Sequence, residues 1–376
     1  MVRHHLLSLL LCLLPVRRGV DAAVLSAHNS STVQPSVLYS WTLIDFDWES
    51  VGTSRDEALA SGAFIPENCA LAGLKFYAGD AYVTIPRWKP GVPSTMNKVV
   101  LSSTGSPVLQ PYPPNLHNDL VYVQSMEIDP DGVMWILEIG REFWNASSRG
   151  GPSLVLYDMA KERLVDRFDF PDEVAPYETN FLNDLVVDVV RRVAYISDAQ
   201  GPDGAVVVVD MNAHTAARFS SAVTQRDPTY LMNFSYAGLF NVAVPTATDG
   251  VALDPSRKLL YFTPLQGLNL YRIPTSSLRS LLPSSSSSSS AAAEMRSEDI
   301  AGDVVLVGTK TSPADGMTFD ENGVLYSGAV ADPDNSVFKW DPVSSSGDSL
   351  DIAHDAHWAD TFAFNGTTLV WVTNNL

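Results

Sequence analysis

Short runs in which apolar and polar residues alternate, each closed by Asp, Asn, Gly or Pro, recur along most of the chain. A spacing near two is that of strands, whose successive side chains point to opposite faces, whereas a helix would repeat near 3.6. Five segments align with one another: QSMEIDPDGVMWILEIG from Gln124, NDLVVDVVRRVAYISDAQG from Asn183, DGVALDPSRKLLYFTPLQG from Asp249, DGMTFDENGVLYSGAV from Asp315 and DTFAFNGTTLVWVTNN from Asp360. Each opens on a polar residue, runs through a short apolar strand, turns, and returns through a strand centred on an aromatic residue. GLKFYAGDAYVTIP from Gly73 is a sixth, degenerate copy.

Such a unit cannot bury both of its faces alone, so copies must stack. Radial stacking of small antiparallel sheets leaves only short, protected edges. The repeat therefore predicts an all-β fold, a six-bladed β-propeller of four-stranded antiparallel blades. Outer strands are expected from Pro152 to Phe170 and from Gly204 to Phe219, both strand-turn-strand in pattern. Val37 to Phe46 reads as a further strand beside Asp360 to Leu376, so that N- and C-terminal strands close the ring. The tract Ser284 to Ala293 has no side chains able to build a core and reads as a loop (284–293) within the fourth blade.

The N-terminus bears on where the protein works. A basic start at Met1 to Arg3, the apolar run from Leu6 to Leu14 and the small residues around Val20-Asp21-Ala22 predict a secretory signal over residues 1–22. A single propeller domain over 23–376 follows. No other stretch approaches ~20 uninterrupted apolar residues, so the expected product is extracellular and has no membrane span. Sequons at Asn29, Asn145, Asn233 and Asn365 suit that compartment. Cys12 lies in the signal and leaves Cys69 alone, which excludes an internal disulfide and predicts a buried, inert thiol. The formal charge of −19 argues against a nucleic-acid partner, which would need clustered Lys and Arg. A cationic ligand suits it better.

Several strings in this chain are unusual: IDFDW from Ile44, GAFIPEN from Gly62, IPRWKPGVPSTMNKV from Ile85, the stretch from Asp249 to Arg279, and GTKTSPADGM from Gly308. In this order they resemble the yellow and major royal jelly protein family over essentially the whole mature chain. That resemblance implies a secreted six-bladed propeller. It also implies a choice of activities, because some members convert dopachrome in pigment formation, some bind biogenic amines in a central pocket, and others are nutritive or structural.

In a propeller the innermost strand of each blade lines the central channel, which would bring Gln124, Asn183, Asp249, Asp315 and Asp360 to its mouth. The competing duty of such residues is to cap a local turn, and that is the expected role of Asp129, Asp188, Asp254 and Asp320. Oxygen ligands of the first set suit Ca²⁺ or Mg²⁺, and adjacent carboxylates suit acid–base work. A similarity to gluconolactonase-like propellers singles out Asn183 and Asp315 as metal ligands, although Leu71 stands where that family carries a metal-binding Glu. Arg87, beside Trp88 in the proline-rich segment, is a further residue expected to touch a ligand. His354 and His357 read as solvated.

Three readings follow. One is a propeller that binds a small aromatic or amine metabolite and isomerises it as a dopachrome tautomerase would. The second is a metal-dependent, lactonase-like hydrolase, and the third a non-catalytic extracellular or storage protein.

Overall fold

In the computed structural model, which describes residues 20–25, 36–101, 106–142, 151–201, 203–283, 296–331, 337–342 and 358–373, the alternating runs become short antiparallel strands. The chain divides into two compact units, one of Met1–Asp169, Asn335–Val337 and Ile352–Leu376, the other of Phe170–Asp334 and Phe338–Asp351.

The first unit holds three four-stranded sheets. β1 (Val20–Leu25), β2 (Ser36–Trp41), β24 (Ala359–Asn365) and β25 (Thr368–Thr373) lie in the order β2-β1-β25-β24. β3 (Leu74–Tyr77), β4 (Asp80–Thr84), β5 (Met96–Val100) and β6 (Val108–Pro111) follow one another, as do β7 (Val123–Ile128), β8 (Val133–Glu138), β9 (Ser153–Asp158) and β10 (Arg163–Asp169). Lys75 on β3 and Glu127 on β7 form an ion pair of 2.8 Å between two of these sheets.

In the second unit, β11 (Leu182–Asp188), β12 (Val193–Asp198), β13 (Ala205–Asp210) and β14 (Thr215–Phe219) form one sheet. β17 (Thr248–Leu253), β18 (Leu259–Pro264), β19 (Asn269–Pro274) and β20 (Val305–Thr309) form another. β21 (Ala314–Phe319), β22 (Leu325–Ala329) and β23 (Val337–Trp340) make a three-stranded sheet among the described residues. Between them in sequence, β15 (Met232–Phe234) and β16 (Leu239–Val242) form a separate hairpin that the repeat does not anticipate.

The five four-stranded sheets are antiparallel blades of an all-β propeller. Middle strands are covered on both faces and so read as continuous apolar runs: Ala205 to Val209 of β13 are all buried. Outer strands such as β10 have only one protected face, which explains Arg163, Asp166 and Asp169 among its residues.

Two expectations are sharpened. The segment from Val37 does join the terminal sheet, but as its edge strand β2, ending at Trp41. The strand that pairs with the C-terminal β25 is β1, in a register from Asp21↔Thr373 to Leu25↔Leu369. The second set of aspartates does cap turns. Asp129 accepts from the backbone N–H of Asp131 and Val133, Asp254 from Lys258 and Leu259, Asp320 from Asn322 and Val324, and Asp188 from Arg191. Cys69 is buried, its thiol pushed up mainly by desolvation. The tract 284–293, the sequons at Asn29 and Asn145, and His354 and His357 lie outside the described residues.

Candidate functional site

The polar residue that opens each repeat is the second residue of its strand: Gln124 on β7, Asn183 on β11, Asp249 on β17, Asp315 on β21 and Asp360 on β24. At each of these points the register with the next strand shifts, between Val123/Ser125, Leu182/Leu185, Thr248/Val251, Ala314/Met317 and Ala359/Phe362. A bulge frees a residue from the ladder and re-aims its side chain. The repeat thus builds the same device five times. In the degenerate copy β3 pairs with β4 without a shift, starting at Leu74↔Val83.

In the second unit three of these residues come together. Asn183 Nδ2 donates to Asp249 Oδ1, and the charge of Asp315 acts directly on Asp249. Asn183, Asp249 and Asp315 are all buried. Gly250 makes the close approach feasible, because a Cβ there would run into the carbonyl oxygen of Asp315. The cluster contains a residue that the repeat pattern does not single out. Lys310, also buried, donates from Nζ to Thr263 Oγ1 and interacts electrostatically with both Asp249 and Asp315.

Burial disfavours charge on both kinds of group and so moves them in opposite directions. Desolvation, then Asp315 and Asp184, push the Asp249 carboxyl well above its ordinary range, against the opposing pull of Asn183 and Lys310. Desolvation brings the Lys310 ammonium down to about 7, although both carboxylates favour its charge. Burial thus moves the Asp249 carboxyl up and the Lys310 ammonium down, bringing the two proton affinities toward each other.

The residues do not fit a resident divalent cation. The site's two buried carboxylates, Asp249 and Asp315, both interact with the Lys310 amine, and burial disfavours charge on Asp249. Among the described residues no group of three or more His, Cys, Asp or Glu side chains is arranged to hold a metal.

The first unit places the other candidates differently. Trp88 is buried and donates from Nε1 to Gln124 Oε1 at 3.2 Å, so the proline-rich segment packs onto the entry of β7. Arg87 spends its guanidinium on the carbonyls of Val92, Pro93 and Val121, with Glu142 at 3.4 Å. That is the bonding of a brace for its own loop. Asp360 is half-buried and accepts from Thr361 Oγ1. Beside Gln124, Glu138 accepts from the N–H groups of Val121, Tyr122 and Gly140. Burial raises its carboxyl above the usual range, and those donors oppose the rise.

A family model described as Major royal jelly protein matches residues 121–371. The chain belongs to that family. Protein yellow of Drosophila melanogaster is 27% identical over 260 residues, covering 64% of this chain and 47% of the relative, and Protein yellow of Drosophila simulans matches equally. The chain thus spans about half the length of the curated relatives it matches. Among solved structures, a nidogen/laminin complex covers 92% of this chain and 97% of its own at a TM-score of 0.51 and 11% identity, a likeness of fold. A gluconolactonase from Xanthomonas campestris covers 84% of this chain and 92% of its own at a TM-score of 0.47 and 12% identity.

Within the family match, the string GTKTSPADGM carries both Lys310 and Asp315. Its lysine is the signal that sequence reading passed over, because a single Lys between two Thr residues looks solvated until the fold buries it. Thr263, its hydrogen-bond partner, lies on β18, outside the first-strand positions to which the repeat draws attention.

Proposed function

We propose that this chain is a secreted propeller that binds a small aromatic metabolite and isomerises it by proton transfer, in the manner of dopachrome conversion. Six blades closed into one ring by the terminal strands, and carbohydrate on the exposed Asn365, belong to the same reading. One observation carries it: Asp249 and Lys310 sit in one buried cluster with their proton affinities displaced in opposite directions. Two titratable groups so displaced are an acid and a base ready at neutral pH. A tautomerisation needs both, since a proton leaves a carbon while another arrives at an oxygen. Neutral Lys310 Nζ is the base, protonated Asp249 the acid, Asn183 holds the Asp249 carboxyl, and Thr263 Oγ1 positions the amine. The family resemblance supports the substrate class. The hydrolase reading loses ground because the donor set does not suit a metal.

The test uses the full-length secreted protein and freshly made dopachrome, with loss of its visible colour as the readout. Turnover is expected in the wild type and should fall at least a hundredfold in Asp249→Asn and in Lys310→Met, with both variants folded by circular dichroism. No conversion by the folded wild-type protein would overturn the proposal.

A further inference from the structure

Among the described residues β15 and β16 pair with each other and with no other strand, and one face of this hairpin joins a sequon to an exposed aromatic ring. On β15, Met232 and Phe234 are fully buried, so the half-buried Asn233 between them belongs to the opposite face. The register sets Met232 opposite Val242 and Phe234 opposite Leu239, with a shift between the two pairs. Phe240 and Asn241 therefore both stand across from Asn233, in a bulge where Asn241 takes a left-handed backbone with φ 55°. The Asn241 backbone N–H donates to Asn233 Oδ1 at 2.8 Å, which ties down the amide oxygen and leaves Nδ2 out of that bond. Phe240 is 61% exposed. Ser235, which completes the sequon Asn233-Phe234-Ser235, is exposed as well.

We propose that Asn233 carries an N-linked oligosaccharide whose first sugar lies across the Phe240 ring. In the covalent step Nδ2 forms a bond to the anomeric carbon of an oligosaccharide carried on a lipid pyrophosphate. The bond from that carbon to the phosphate oxygen breaks, the lipid pyrophosphate leaves with the electron pair, and the amide nitrogen gives up one proton. No oxidant or reductant is needed. Opposed residues on one face of a hairpin lie about 5 Å apart at Cβ, so a sugar attached to one reaches a ring carried by the other. One face of a pyranose presents C–H bonds of slight positive charge, and the face of a phenyl ring is negative. Covering the ring also takes apolar surface from water, which is favourable. A two-stranded hairpin is marginally stable by itself, so this cover should hold β15 and β16 together. The inference rests on reading the chain as secreted, and recovery of the protein from the medium tests that reading separately.

The full-length protein is expressed in a eukaryotic cell line and collected from the medium, and its glycopeptides are mapped by mass spectrometry. Sugar on Asn233 is expected in wild type and in Ser235→Thr, which keeps the sequon, and should vanish in Ser235→Ala, which leaves the Asn233 side chain in place. Hydrogen exchange over residues 231–242 should be at least threefold faster in Ser235→Ala than in wild type. In a Phe240→Ser background the loss of the sugar should change that rate little, because the ring it covers is gone. A bare Asn233 on secreted protein overturns the proposal and leaves the secreted reading standing. A modified Asn233 whose loss leaves exchange unchanged, or speeds it equally with and without Phe240, overturns it too. Protein kept inside the cells with Asn233 bare would defeat both readings.

Discussion

Replacing Lys310 by Met removes the titrating amine while keeping an unbranched side chain of similar length, and its effect on stability should depend on pH in a calculable way. The gap between the ordinary 10.5 and about 7 corresponds to roughly 5 kcal/mol in favour of the neutral amine in the folded protein. Below about pH 7 the lysine is protonated both folded and unfolded, and the folded state bears that cost. Between about 7 and 10.5 the folded amine has lost its proton and the unfolded one still holds it. Unfolding then takes up a proton, and stability rises with pH by up to about 1.4 kcal/mol per unit. The methionine variant lacks this rise. It also loses one of the two influences that favour charge on Asp249, which bends the difference the same way. Urea melts of both proteins at pH 7, 8, 9 and 10 measure it, because contributions from the remaining charges largely cancel between them. Wild type minus variant should climb by several kcal/mol across that range. A flat difference would mean that Lys310 keeps its ordinary proton affinity, and the reasoning about the cluster would fail.

Two other predictions probe how the site is built. Gly250→Ala puts a methyl group against the carbonyl oxygen of Asp315, so backbone must shift. A loss of about 1–3 kcal/mol is expected in urea denaturation, and an unchanged midpoint would contradict the close approach of β17 and β21. Trp88→Phe keeps the packing of the proline-rich segment but leaves Gln124 Oε1 without its indole donor. That should cost about 1–3 kcal/mol, whereas Lys89→Ala, a substitution on the same loop, should stay within about 0.5 kcal/mol.

Most of the architecture could be read from residue order because a strand's period and a turn's chemistry are local. The openings at Gln124, Asn183, Asp249, Asp315 and Asp360 each fall on the second residue of a strand, and Asp129, Asp188, Asp254 and Asp320 cap the turns expected of them. The hairpin of β15 and β16 escaped because two strands of three and four residues carry too little alternation to stand out. The carbonyl partners of Arg87 come from Val92, Pro93 and the distant Val121, and only folding brings Val121 near. The same holds for Lys310. Its position in GTKTSPADGM was in view, but its role depends on burial and on partners at Thr263 and Asp249, far apart in sequence.

The central claim is that Lys310 and Asp249 form a buried acid–base pair, and the proton affinity of Lys310 tests it without any substrate. A carbon-13 NMR titration of protein labelled at lysine ε-carbons, with the Lys310 signal assigned by its absence from Lys310→Met, reads that affinity directly. A midpoint near pH 7 is predicted. A Lys310 signal that titrates with the exposed lysines near 10.5 would contradict the account.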